Sequence, residues 1–288
     1  MRYKDRDGNL ILKETGQDKL LRSLYTKRGG RFLIRFLITK PVTKLSSCFL
    51  RIRPSVIFIK RFIQKNGIDM SQYEERKYKS YNDFFTRKIK EGKRPADLRP
   101  EVLISPCDGK ATAFCIGENT CFSIKNTEYT VASLLKNETL ASQFRGGICV
   151  LIRLTVDDYH RYCYVDDGVK GENIYIPGVL HTVNPVAAEH APIYKENCRE
   201  YTVIDTAQFG RIVQMEVGAL IVGKILNYHG AACHVRKGQE KGRFEFGGST
   251  VILLFQKNKI KISPDILENS GDDCETIVKM GEEIGRRS

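Results

Sequence analysis

From Glu101 onward the chain is a succession of short apolar runs punctuated by Gly, Pro, Asn or Asp. They read "VLISP" (102–106), "GGICVLIRLTV" (146–156), "GENIYI" (171–176), "EYTVIDT" (200–206), "RIVQMEV" (211–217) and "ALIVGKIL" (219–226). Runs of this length and type predict strands. No helical period alternates with them, so a parallel sheet is not expected. The expected fold class is α+β: a mainly antiparallel β core with a helical, basic N-terminal region. Within residues 80–100, "SYNDFFTRKIKEGKRPADLRP" predicts a short helix with Phe84, Phe85 and Ile89 on its apolar face, stopped by Gly92 and Pro95. Part of the tail after Pro264 is expected to be helical.

One run carries a fault. "GRFEFGGSTVILLF" (242–255) starts with Phe244 and Phe246 on one face and Arg243 and Glu245 on the other, and it ends wholly apolar. Gly247 and Gly248 lie between the halves, where glycine adds backbone entropy and no packing. A bulge is the plain reading; a functional break is the other.

The charge is as uneven as the hydropathy. The 288 residues carry a net charge of +13, yet residues 19–66 hold 13 Lys or Arg and no Asp or Glu, and the rest of the chain balances. Phe32, Leu33, Ile34, Phe36, Leu37 and Ile38 are interleaved with these cations. Charges recur too often for the ~18–20 apolar residues a bilayer span needs, and no signal-peptide cleavage pattern is present. A nucleic-acid arm explains the cations but not the rings, and no nucleic-acid partner is expected. A helix lying in an anionic membrane interface explains both; a helical pair packed on the main domain is the alternative. Residues 1–75 are therefore expected to form a membrane-associating region and 76–288 the core. The nine cysteines form no CxxC pair and are odd in number. They read as reduced thiols of a cytosolic protein.

The candidate chemistry is weak residue by residue. His229 and His234 in "HGAACH" are five apart, which suits neither one helical face nor a zinc motif, and no metal is expected. "SPCDGKA" (105–111) reads as an Asp-Gly turn. "TVDDYHRYCYVDDG" (155–168) ends an apolar strand in Asp157, Asp158, His160 and Arg161. Together with Ser249, these segments supply a carboxylate, a base and a nucleophile, but only geometry defines a triad.

Six blocks change the weighing. "YNDFFTRKIKEGKRPAD", "ISPCDGKA", "DYHRY", "IPGVLHTVNPVA", "GRIVQMEVGALIVGKI" and "KGQEKGRFEFGGSTVILLF" resemble, in the same order, the phosphatidylserine decarboxylases. The resemblance runs from about Ser80 to Phe255. It implies a β-rich pyruvoyl-enzyme core behind a membrane-associating N-terminus, and a chain that cuts itself between Gly248 and Ser249. The products would be 1–248 and 249–288, held together as a heterodimer. Ser249 Oγ would attack the Gly248 carbonyl with His160 as base and Asp108 holding the imidazole. The ester formed would eliminate, and residue 249 would become a covalent pyruvoyl group, the cofactor. Its ketone forms a Schiff base with the substrate amine and draws off the electrons of decarboxylation. The implied reaction is phosphatidylserine to phosphatidylethanolamine plus carbon dioxide. The implied location is peripheral, on the cytoplasmic face of a membrane.

One departure matters. Many members read YHRxH, and here "YHRYC" puts Cys163 at the second His. Either His160 serves both self-cleavage and decarboxylation, or another residue fills one role; His181 in "LHTVNP" is the alternative, and Cys163 itself a weaker one. Two other classes stay open. "VRKGQEKGRFEFGGSTVI" resembles the hairpin of biotinyl and lipoyl carrier modules, although no Lys sits at a suitable tight turn. A non-catalytic membrane adaptor with a basic arm is the second. Either would remain one chain of 32.8 kDa.

Overall fold

The computed structural model describes residues 2–12, 48–124, 127–179, 193–219, 224–245 and 249–288. Eight strands position the site: β1 (Gly109–Cys115), β2 (Ile148–Leu154), β3 (Arg161–Cys163), β4 (Arg199–Thr206), β5 (Arg211–Gly218), β6 (Ile225–Asn227), β7 (Glu240–Phe244) and β8 (Ser249–Phe255). Among the described residues, the central sheet has eleven strands, and its middle runs β4-β5-β8-β2-β1, antiparallel throughout. Among the described strands a parallel pair forms at the far side, where Arg2–Lys4 lies along Glu275–Val278. The expected α+β class with a mainly antiparallel core is what forms.

β8 is buried on both faces, so residues 251–255 are apolar without interruption rather than alternating. Val150, Ile152, Leu154, Val251 and Leu253 pack on one side against Tyr162, Cys163 and Phe244. These come from a second sheet of order β6-β7-β3. Gly242 makes that layer possible: a Cβ there would lie 2.3 Å from the Leu226 carbonyl oxygen and 2.8 Å from the Tyr162 hydroxyl. On the other side, Cys149, Leu151, Ile252 and Leu254 pack against Phe122, Tyr129, Leu134 and Tyr194, from a hairpin and short helices.

Three helices frame the rest: α1 (Ile57–Asn66), α2 (Tyr81–Phe85) and α3 (Pro264–Gly271). Gly67 ends α1 with a φ of 61°, its N–H returning to Gln64 O, a left-handed turn that glycine adopts without a Cβ penalty. Helix α2 is capped by Ser80, whose Oγ accepts the Asp83 N–H at 3.2 Å. It is shorter than its sequence predicts. Ile89 lies beyond it, because the chain turns extended and pairs with the segment before it: Glu74 N–H bonds Lys88 O and Lys90 N–H bonds Gln72 O, both at 2.9 Å. Two long-range backbone bonds outweigh one more helical turn. The tail helix expected after Pro264 is α3. The Asp-Gly "turn" is a bend over 106–108 that runs directly into β1. Gly109 serves close approach there, since a Cβ would lie 2.8 Å from the Arg153 carbonyl oxygen.

Candidate active site

Ser249 is the first residue of β8 and is fully buried. Its register partners are Gly218 of β5 and Leu154 of β2. Its Oγ meets no hydrogen-bond partner among the described residues. Phe246, Gly247 and Gly248 lie outside the described residues, so the glycine break itself carries no geometry here.

His160 lies at the end of the loop that leaves β2. The two segments 154–160 and 244–249 are tied at both ends: Leu154 pairs with Ser249, and the Phe244 N–H donates to the His160 carbonyl at 2.9 Å. The loop is closed by Asp158, whose Oδ2 accepts from Thr155 N at 2.7 Å, Thr155 Oγ1 at 2.8 Å and Lys110 Nζ at 2.7 Å. Despite its burial, Lys110 and these donors hold the Asp158 carboxyl well below the usual carboxylate range. The imidazole is buried, and its ring centroid is 4.1 Å from that of Phe85 on α2. Burial pushes its pKa down to about 4. His160 Nδ1 is 2.9 Å from the Asp158 carbonyl oxygen. A carbonyl only accepts, so Nδ1 carries the proton and Nε2 presents a lone pair. Nε2 has no partner among the described residues. The arrangement is a neutral, oriented base and an unpartnered hydroxyl on two segments bound to each other.

Asp108 is also buried, but its carboxylate faces other groups. Arg94 Nε donates to Oδ1 at 3.1 Å and Arg94 Nη2 to Oδ2 at 3.0 Å, the Met280 N–H adds a bond of 2.9 Å, and Lys279 Nζ lies 3.5 Å away. Among the described residues no hydrogen bond joins Asp108 to His160. The residue behind the Asp108 bend is Cys163, whose N–H donates to Pro106 O at 2.8 Å. Burial pushes the Cys163 thiol up to about 12, so it stays protonated and is a poor base. His181 lies outside the described residues. His234 sits on the strand Cys233–Val235, and among the described residues no group of His, Cys, Asp and Glu has the makings of a metal site.

The sequence reading missed Asp158 as the residue that closes the loop and orients the ring. It also missed a buried ion pair: Lys241 Nζ on β7 lies 2.5 Å from Glu216 Oε2 on β5, both side chains fully buried. The signal was present. Gln214 and Glu216 stand at every second position of "RIVQMEV", on the face opposite Val213, Met215 and Val217.

The sequence model of the family described as Phosphatidylserine decarboxylase matches residues 81–286. The chain is 46% identical to the Phosphatidylserine decarboxylase proenzyme 2 of Clostridium acetobutylicum, over 92% of this chain and 91% of that protein. It is 39% identical to a Phosphatidylserine decarboxylase proenzyme of Clostridium botulinum, over 99% of this chain and 98% of that one. A further proenzyme, from Clostridium tetani, is 37% identical over 99% and 97%. The chain belongs to the phosphatidylserine decarboxylase family.

Proposed function

We propose that this chain cuts itself before Ser249 and then decarboxylates phosphatidylserine to phosphatidylethanolamine and carbon dioxide. The observation that carries the reading is the pair of unpartnered buried atoms, Ser249 Oγ and His160 Nε2, on two segments bonded to each other. Nε2 accepts the Ser249 hydroxyl proton, and the Asp158 carbonyl keeps the ring in the tautomer that allows this. The imidazolium so formed has the Asp158 carbonyl on its other nitrogen. Asp108 acts on the same site through position: with Arg94 it fixes the bend against which Cys163 and β3 rest. His160 serves both the cutting and the later proton transfers, since Cys163 is held protonated.

The residues fit a group formed at position 249. The cut falls at the head of β8, which is paired over its whole length, to Ile212–Gly218 of β5 and to Ile148–Leu154 of β2. A chain beginning at 249 therefore stays locked in the sheet, and 1–248 and 249–288 remain one molecule. The pyruvoyl group formed from Ser249 supplies a ketone that condenses with a primary amine and withdraws the electrons released with carbon dioxide.

The membrane role rests on α1 and the residues before it. Ile57 is 78% exposed, and Phe49, Ile52, Val56 and Phe58 are exposed beside it, among Arg53, Lys60 and Arg61. No helix among the described residues is long and apolar enough to cross a membrane. The face fits an anionic interface on the cytoplasmic side, entered by rings and held by cations. Ser249→Ala tests the central step. The variant is expected to stay one chain and to release no carbon dioxide from phosphatidylserine; splitting of that variant would overturn the proposed nucleophile.

A further inference from the structure

A buried carboxylate beside residue 249, that of Glu216, has one oxygen its neighbours leave unpaired. Glu216 precedes Gly218, the register partner of Ser249, by two residues, and so lies diagonally across the strand pair on the same face. Such neighbours are about 7–8 Å apart. Directly opposite Glu216 in the next strand stands Glu200. Asn227 Nδ2 bridges the two, donating to Glu200 Oε1 at 2.8 Å and to Glu216 Oε2 at 3.3 Å. Lys241 Nζ donates to Glu216 Oε2 and, at 2.9 Å, to Asn227 Oδ1. Tyr162 OH adds a bond of 3.2 Å to Asn227 Oδ1, and Asn173 Nδ2 one of 2.7 Å to Glu200 Oε1. The one ammonium thus bonds Glu216, while the half-buried Glu200 is held by the two amides. The next cation, Lys170, has its Nζ on the carbonyls of His229 and Ala231, at 2.9 and 2.8 Å. Glu216 Oε1 is buried and has no partner among the described residues. Leaving a carboxylate oxygen so costs free energy unless a donor arrives.

An amine joined to position 249 would lie on the same sheet face as Glu216, its diagonal neighbour. We propose that Glu216 is the ammonium site of the decarboxylation: its free Oε1 receives the protonated primary amine of the phospholipid headgroup and takes one proton from it. One N–H bond breaks and one O–H bond forms on Oε1. The nitrogen keeps the electron pair it needs to add to the ketone at position 249. Lys241 holds Oε2 and so aims Oε1. Burial raises the Glu216 pKa and Glu200 adds to that, against the pull of Lys241 and Asn227. The other titratable groups facing it are Tyr162 on β3, Tyr164 just after it and Cys107 in the bend before β1, all held protonated by burial. The inference rests on the function proposed above.

The test uses the full chain and two variants, Glu216→Gln and the pair Glu216→Met with Lys241→Met, which leaves no charge stranded. Splitting is followed on a gel. The split protein is then incubated with short-chain phosphatidylserine and cyanoborohydride, and the mass gained by the 249–288 chain is followed from pH 6 to 9. Both variants are expected to split, yet to trap the amine at least ~100-fold more slowly at pH 7. Their rates should climb about tenfold per pH unit, because only free amine from solution then reacts, while the wild type changes less. Wild-type rate and pH profile in either variant overturn the ammonium site. Failure of the double variant to split also overturns it, by assigning the pair to self-cleavage. A wild type that never splits overturns the self-processing reading instead.

Discussion

A histidine buried so that its pKa falls to about 4 is an uncharged base across the physiological range, and His160 is one. His160→Ala is therefore expected to slow chain splitting by about 10²–10⁴-fold, the usual worth of general-base help. The pH dependence has a definite sign. Protonated imidazole cannot accept the Ser249 proton, so splitting should hold steady from pH 8 to 5 and fall by half near pH 4. A midpoint near 6.5, the value of an ordinary histidine, would contradict the buried base. Asp108 poses a separate question, because its carboxylate is engaged by Arg94. Asp108→Asn and Arg94→Met break the same buried pair and should slow splitting to a similar degree, as a gel time course would show. Normal splitting of Arg94→Met beside a blocked Asp108→Asn would instead give Asp108 a direct hold on the imidazole. Ser249 and His160 entered as candidates through the resemblance of their runs to the family, each a weak signal taken alone. The orienting partner of His160 was not legible, because a backbone carbonyl leaves no mark in residue type. Glu216 was legible only as a charge on an inward face; its partner Lys241 is 25 positions away and joins it through the fold.

Among the elements, β8 was the most readable and α2 the least. Residues 251–255 are apolar at every position because the second sheet covers one face of β8 and a hairpin with short helices the other. Helix α2 ends early because residues 72–74 offer Lys88 and Lys90 backbone partners that no local propensity reveals. That same helix couples the N-terminal region to the site. Ile59 of α1 shares a buried cluster with Tyr81, Phe84 and Phe85, and the Phe85 ring lies against His160. The boundary expected at residue 75 therefore falls inside a shared core, and truncation there would expose the rings that support the base. Arg51 also reaches across, forming an ion pair with Glu245, four residues before Ser249. Point substitutions on the exposed face test the membrane role more cleanly. Ile57→Ser with Phe58→Ser removes apolar side chains worth about 1.5–3 kcal/mol each if fully buried. Binding to anionic vesicles should drop by at least ~10-fold in a sedimentation assay, with chain splitting unchanged. Equal vesicle binding by the variant would argue against this face as the docking surface.

For the whole molecule, the charge distribution and the chain cut belong to one design. The net charge of +13 resides in residues 19–66, while the balanced remainder folds into the sheets that hold the site. Of that basic stretch, residues 48–66 are described, and they place exposed Arg53, Lys60 and Arg61 beside the exposed rings of Phe49 and Phe58. Residues 13–47 lie outside the described residues, so the interface helix expected there is a matter of sequence alone. A cut before β8 is mechanically tolerable because seven register pairs on each side retain the strand. The proposed small product, 249–288, would also carry α3 and the strands Ile260–Ile262, Glu275–Val278 and Glu283–Arg287, which pair with the large one or with one another. The two chains should separate only on denaturation. The most direct measurement is the intact mass of purified, active protein under denaturing conditions. The account predicts two chains, 1–248 and 249–288, the smaller with a blocked N-terminus. A single chain of 32.8 kDa that still releases carbon dioxide from phosphatidylserine would contradict it.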